Sequence, residues 1–168
     1  MDILEVIKTR RSIRKYKPDP ISEEEINKIL EAGRWAPSAG NSQPWSFIVL
    51  RSQKVRKKLG DVLTWGRFLS QAPLGIAVTI NPAASSHPVE DGAAATQNML
   101  LEIHSLGLGA CWIGTYGGGN EESAKKVLNV PEEERLLSVI AMGHPAESQQ
   151  KTRKELDEVT FTDRYGRR

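Results

Sequence analysis

Pro88-Val89-Glu90-Asp91-Gly92-Ala93-Ala94-Ala95-Thr96-Gln97-Asn98-Met99-Leu100-Leu101-Glu102-Ile103-His104-Ser105-Leu106 is the longest stretch of helical character in the chain. Proline suits a first turn, where its missing N–H is not needed, and Gly107 and Gly109 stop the helix at its far end. Ala93, Ala94, Ala95, Met99, Leu100, Leu101, Ile103 and Leu106 cover most of its circumference. A helix that is apolar nearly all round is a buried one. A chain of 168 residues has little mass with which to cover it from every side. The alanine run lets another helix approach closely, so the stretch reads as the core helix of a dimer. The competing reading is the central helix of a monomeric α/β domain.

The flanking sequence supplies a sheet. Leu74 to Ile80 is apolar, rich in β-branched residues and stopped by Asn81-Pro82. Ser46 to Leu50 has the same character, and two such unbroken runs suggest strands buried on both faces. Ala110-Cys111-Trp112-Ile113 and Leu136 to Met142 add two more, and Val159-Thr160-Phe161 could add another. Helices lie between them. Asp2 can cap one over Ile3, Val6 and Ile7, and Ser22 with Glu25 forms a capping box. Ser52 opens a third, and Asn120 caps one that runs to Leu128. The order implies an α+β or mixed α/β arrangement built on a single layer of sheet. There are no repeats and no internal linker, so residues 1–168 read as one domain with a polar tail from Ala146.

Composition narrows the class. A net charge of +2 excludes a strongly basic, nucleic-acid-like balance. Cys111 is the sole cysteine, which rules out an intrachain disulfide and any cysteine cluster for zinc or iron–sulfur. Met1 to Glu5 lacks the pattern of a signal peptide. No apolar run approaches the roughly 20 residues of a membrane span, and a cytoplasmic protein is the expectation.

Several segments are candidates for chemistry. Arg10-Arg11-Ser12-Ile13-Arg14-Lys15-Tyr16 places three arginines and a hydroxyl within five positions at a helix end. Guanidinium groups match phosphate oxygens in bidentate fashion; the competing reading is a solvated basic helix end that complements the dipole. Pro37-Ser38-Ala39-Gly40-Asn41-Ser42-Gln43-Pro44-Trp45 is a turn of small residues against which a flat ring could lie, with amides at Asn41 and Gln43. It could equally be a plain helix-to-strand loop. Ile113 and Gly114 end a strand where backbone N–H groups become available. Lys151 and Arg153 are two cations in the polar tail.

Other motifs are absent. Gly117-Gly118-Gly119 lacks the lysine of a phosphate loop, and no G-x-G-x-x-G follows a strand. His87, His104 and His144 are scattered, and there is no nucleophile elbow. If the chain is an enzyme, a cofactor carries its chemistry.

Taken together, the Arg10–Tyr16 segment, Ala36 to Trp45, Asp91 to Leu101, Gly109 to Gly114, and Gly143-His144-Pro145 before a Lys-x-Arg tail resemble the FMN-dependent nitroreductase family in order and spacing. The resemblance runs over nearly the whole chain. It implies an α+β fold with a mostly antiparallel sheet of four to five strands, assembled as an intertwined homodimer with FMN at the interface. The tail, 146–168, would wrap the partner subunit.

By position, the resemblance implies that Arg10 and Ser12 hold the phosphate and ribityl end, with Arg11 less strictly placed and Lys151 and Arg153 joining from the tail. Arg14 would approach the pyrimidine edge of the ring. Pro37, Ser38, Ala39, Asn41 and Gln43 would reach the ring from the partner. Ile113 and Gly114 would offer backbone N–H groups. No catalytic side chain and no metal are implied. The activity implied is two-electron, ping-pong transfer from NADH or NADPH to a flat, electron-poor acceptor such as a nitroaromatic or quinone. The alternatives are a specialised flavin chemistry, such as reductive dehalogenation or flavin breakdown, or a flavin-binding module without turnover. The chain is short for the family, so Trp65-Gly66-Arg67-Phe68 and the Gly117–Gly119 loop would form the rim of the site.

Overall fold

The computed structural model describes residues 2–167. Their central feature is a four-stranded sheet in the order β1-β2-β4-β3. Its strands are β1 (Trp45–Leu50), β2 (Leu74–Ile80), β3 (Gly109–Gly114) and β4 (Arg135–Gly143). Every neighbouring pair is antiparallel. The helices are α1 (Ile3–Thr9), α2 (Glu23–Arg34), α3 (Gln53–Val62), α4 (Pro88–Ser105) and α5 (Glu121–Leu128). The fold is α+β.

Alternation along the central strands builds two apolar layers. Leu74, Ile76, Val78 and Ile80 of β2 face Ile26 and Ile29 of α2 and Met99 and Ile103 of α4. Ala77 of β2 and Val139 of β4 face the other way, onto Leu59, Leu63, Leu69 and Ala124. β2 is buried along its whole length, as its unbroken apolar sequence implies. β1 is not. It is an edge strand paired only with β2, so its cover is partial and most of its residues are half-buried.

Helix α4 lies directly on the sheet. Gly92 makes this possible, since a Cβ there would fall 2.5 Å from Ile80 Cγ2 and 2.6 Å from Leu137 Cδ2. Ala95, Met99 and Ile103 are buried, whereas Ala93, Ala94 and Leu101 remain half-buried on the far side. Within one chain the helix is covered by the sheet and by α2, and this stripe is left half-buried.

The termini show where the sequence pattern does not hold. The capping box of Ser22 and Glu25 forms as read. Asp2 and Asn120 stand at helix starts, but neither side chain makes a capping bond. Val159–Phe161 forms no strand; a short 3-10 turn spans Leu156–Glu158 just before it.

Candidate functional site

The segment after α1 is fixed on two sides. Ser12 bridges Ala110 at the start of β3, with the Ile13 N–H donating to the Ala110 carbonyl at 2.9 Å. Tyr16 bridges Pro145, and Ala146 N donates to Lys15 O at 2.9 Å. Glu147 accepts from the backbone N–H of Arg14 at 2.7 Å. The tail thus begins as a strap alongside its own chain's basic segment. This contact carries Lys151 and Arg153 to the same place as Arg10, Ser12 and Arg14. Together with Arg11 and Gln149 they line a depression of about 150 Å³.

The electrostatics there are unbalanced. Burial, then the charges of Arg153 and Arg11, push Arg10 below the usual arginine range. A cluster of cations that repel one another is a receptor for an anion. Arg11 differs from its neighbours: its guanidinium donates to the carbonyls of Lys8 (2.6 Å) and Arg10 (2.8 Å) and reaches that of Lys151 at 3.4 Å. It clasps the backbone, although its buried Nε has no partner.

Arg14 also lines a second, larger cavity of about 730 Å³, so it joins the two. Its guanidinium sits 5.9 Å from the Phe68 ring centre. The wall of the larger cavity is β3 from Cys111 to Gly114. Opposite stand Leu63 to Trp65 and Phe68, and the loop through Gly118, Gly119 and Asn120 closes one end. β3 is an edge strand whose outer side is paired only near Ala110, so beyond that point its outer edge is open. Backbone groups alternate along a strand. The Ala110 carbonyl faces outward, and Thr115 N donates inward to Leu137 O at 3.2 Å. By that alternation Ile113 N–H belongs to the ladder with β4, while the Gly114 N–H projects from the open edge. Ile113 contributes side-chain surface rather than a donor, and Gly114 has open space where a side chain would be.

The Pro37–Gln43 loop lies elsewhere. It precedes β1, whose Trp45 pairs with Ile80, while the basic segment adjoins the Gly109–Gly143 pair at the far edge of the sheet. None of Pro37, Ser38, Ala39, Asn41 or Gln43 lines either cavity above. The loop is nonetheless held in a defined shape. Gly40, Asn41 and Gln43 all have positive φ (58°, 56° and 48°), a conformation that needs external support in the two non-glycine residues. Support comes from the Ser38 hydroxyl, which accepts from Gln43 N at 3.0 Å, and from Asp91, which accepts from Ala39 N at 3.0 Å. Asp91 is buried in the first turn of α4, where the helix dipole favours a carboxylate.

Four residues join the site that their sequence context does not mark as functional. They are Asp91 under the loop, Glu147 beneath Arg14, and the Thr64–Asn120 pair across the cavity mouth. Each works through a contact distant in sequence. Asn120 alone left a trace, as a helix-capping residue type that does not cap.

The donor set suits a ligand with an anionic end and a flat, largely apolar body. Cations and a hydroxyl converge on the small depression, aromatic and aliphatic groups line the larger cavity, and one arginine stands between. FMN is a ligand of that shape and charge. The sequence matches the nitroreductase family over residues 7–66 and 62–144, and the chain belongs to that family. It is 40% identical, over 99% of its length and 97% of the relative's, to an Archaeoglobus fulgidus protein provisionally named an NADH dehydrogenase/NAD(P)H nitroreductase. A similarly named protein of Bacteroides thetaiotaomicron has a solved structure with a TM-score of 0.93 at 32% identity, covering 97% of this chain and 98% of that one. A provisionally assigned nitroreductase from Desulfovibrio desulfuricans, solved in complex with FMN, gives a TM-score of 0.84 at 33% identity and 98% coverage of both chains. Among the described residues no helix is long and apolar enough to cross a membrane, and no cluster of His, Cys, Asp and Glu could hold a metal ion.

Proposed function

We propose that this protein is an FMN-dependent oxidoreductase that passes two electrons from NADH or NADPH to a flat, electron-poor acceptor such as a nitroaromatic or a quinone. The observation that carries the reading is the continuity, through Arg14, of a cationic depression with an apolar cavity at an open strand edge. FMN, when bound, supplies reversible hydride chemistry at its isoalloxazine ring. The residues supply binding and orientation. Arg10, Ser12, Lys151 and Arg153 hold the phosphate end, and Arg11 keeps the tail strap in register through its carbonyl contacts. Arg14 places a fixed cation at the boundary between the two ends, which favours a ring that gains negative charge. Gly114 offers a backbone donor, and Phe68 and Ile113 exclude water from the cavity wall.

In the same reading the protein is a homodimer. The half-buried Ala93, Ala94 and Leu101 of α4 and the exposed Ile3, Leu4 and Ile7 of α1 are surfaces that a second copy would cover. Pro37, Ser38, Ala39, Asn41 and Gln43, remote from their own chain's cavity, would complete the partner's. The acceptor class follows from the flat cavity and the family's activity. The test is to compare FMN with riboflavin, which lacks the phosphate. Charge-assisted hydrogen bonds contribute about 1.5–3 kcal/mol each, so two of them make FMN bind about 100-fold more tightly or better. Equal affinity for the two flavins would refute the placement of the phosphate.

A further inference from the structure

The larger cavity is mostly apolar. Among the described residues that line it, the side chains that can both donate and accept are Thr64, Thr115 and Asn120; Arg14 and the indole N–H groups of Trp65 and Trp112 only donate, and the Cys111 thiol is weakly polar. Arg14 belongs to the cofactor end. The Thr115 hydroxyl donates to Leu136 O at 2.6 Å, and the Cys111 thiol lies 3.7 Å from the Trp112 carbonyl. Thr64 and Asn120 remain. Their side chains are hydrogen-bonded to each other across the mouth, joining the segment after α3 to the start of α5.

The pair is placed deliberately by the local structure. An Asn immediately before a helix ordinarily caps it, yet Asn120 makes no capping bond and turns to Thr64 instead. The backbone behind it is braced by Glu121, which is 3% exposed. That carboxylate accepts from Gly117 N (2.8 Å), Leu136 N (3.1 Å) and two nitrogens of Arg135 (2.7 Å each). Arg135 in turn stacks on Tyr116, 4.4 Å from its ring centre. A buried carboxylate with all these bonds made, paired to a half-buried arginine, fixes the loop that presents Asn120.

With one hydrogen bond used between them, Asn120 Nδ2 donating to Thr64 Oγ1, the pair still offers two donors and an acceptor. The Thr64 hydroxyl hydrogen, the second Asn120 N–H and Asn120 Oδ1 are available; if the amide were turned over, its two N–H groups and the Thr64 oxygen would serve. A donor beside an acceptor is the complement of a primary carboxamide, which carries a carbonyl and an N–H on one carbon. Quinones and nitro groups present acceptors only and satisfy half of it.

We infer that Thr64 and Asn120 form the subsite that reads the carboxamide of the nicotinamide donor, with Glu121 as a positioning residue behind Asn120. This rests on the proposed function. It makes the cavity mouth selective for the electron donor while leaving the acceptor loosely specified.

The test uses FMN-loaded protein and three variants: Thr64→Val, which is nearly isosteric at an exposed position; Asn120→Leu; and Glu121→Gln. Two quantities are measured. One is the half-saturating concentration for anaerobic flavin bleaching by NADH and by its 3-acetylpyridine analogue, whose acetyl group cannot donate. The other is calorimetric binding of the oxidised forms of both nucleotides, which involves no turnover. The parent should prefer the carboxamide by about 5- to 10-fold, the effect of one lost hydrogen bond. Thr64→Val and Asn120→Leu should each weaken NADH and NAD+ binding and bring the preference close to one, and Glu121→Gln should do so in part. Variants that keep flavin and the full parental preference would overturn the inference, as would a parent with no preference. A parent that binds FMN but is bleached by neither NADH nor NADPH would refute the proposed function itself, a distinct result.

Discussion

At the scale of single residues, adjacent arginines do different work. All three line the depression, but Arg11 spends its guanidinium on carbonyl oxygens, whereas Arg10 and Arg14 do not. Arg10→Ala and Arg14→Ala should each lower FMN affinity by about 10- to 100-fold, the range of one charged hydrogen bond, with little change in melting temperature. Arg11→Ala should act chiefly on stability, by about 1–2 kcal/mol, because it frees the tail strap and leaves carbonyls unpaired. Flavin titration and thermal melts of the three variants separate these outcomes. The arginine cluster itself is legible in sequence because its members are neighbours. Which arginine points where is not, since a guanidinium turned onto Lys8 O is decided by the path of the backbone. Thr64 and Asn120 lie 56 positions apart and meet only because α3 and α5 share one face of the sheet.

At the scale of elements, the strands and most helices follow from local pattern. β2 and β4 have apolar sequences that suit only a central strand, and Ser22 marks the start of α2 through a local bond. What the pattern misses is context: β1 looks as buried as β2 but lies at the edge, and Val159–Phe161 has β-forming residues but joins no strand of the sheet. The approach of α4 to the sheet depends on one missing side chain. Gly92→Ala should force α4 away from Ile80 and Leu137 and cost about 1–3 kcal/mol, measurable by denaturant unfolding. The Glu121 brace gives a pH signature. Burial alone would raise its pKa, but the bonds from Arg135, Gly117 and Leu136 outweigh burial and leave it below the usual glutamate value of 4.5. A carboxyl depressed on folding adds stability above its unfolded pKa, and that stability is lost as pH falls through the lower, folded one. The parent should therefore lose part of its stability below about pH 4.5, and Glu121→Gln, already weakened at neutral pH, should show a shallower acid decline. Melting temperatures across that window decide it.

At the scale of the whole molecule, the account turns on one distribution of groups. A cationic depression lies at one edge of the sheet and a loop of three positive-φ residues at the other, and the proposed dimer would bring one copy's loop to the other's depression. Ile3→Asp with Ile7→Asp should leave the fold intact and shift sedimentation from dimer to monomer, since each exposed side chain contributes about 1.5–3 kcal/mol when buried. FMN affinity should fall with it, because the partner's loop is then lost. The central claim is that this protein takes electrons from a nicotinamide through bound FMN and hands them to an acceptor. Its most direct test is an anaerobic titration of the purified, FMN-loaded protein, followed by absorbance. The account predicts that NADH or NADPH bleaches the flavin at one equivalent per site and that a quinone or nitroaromatic then restores the oxidised spectrum. A flavin that stays oxidised with both nucleotides, or a protein that cannot retain FMN, would contradict it.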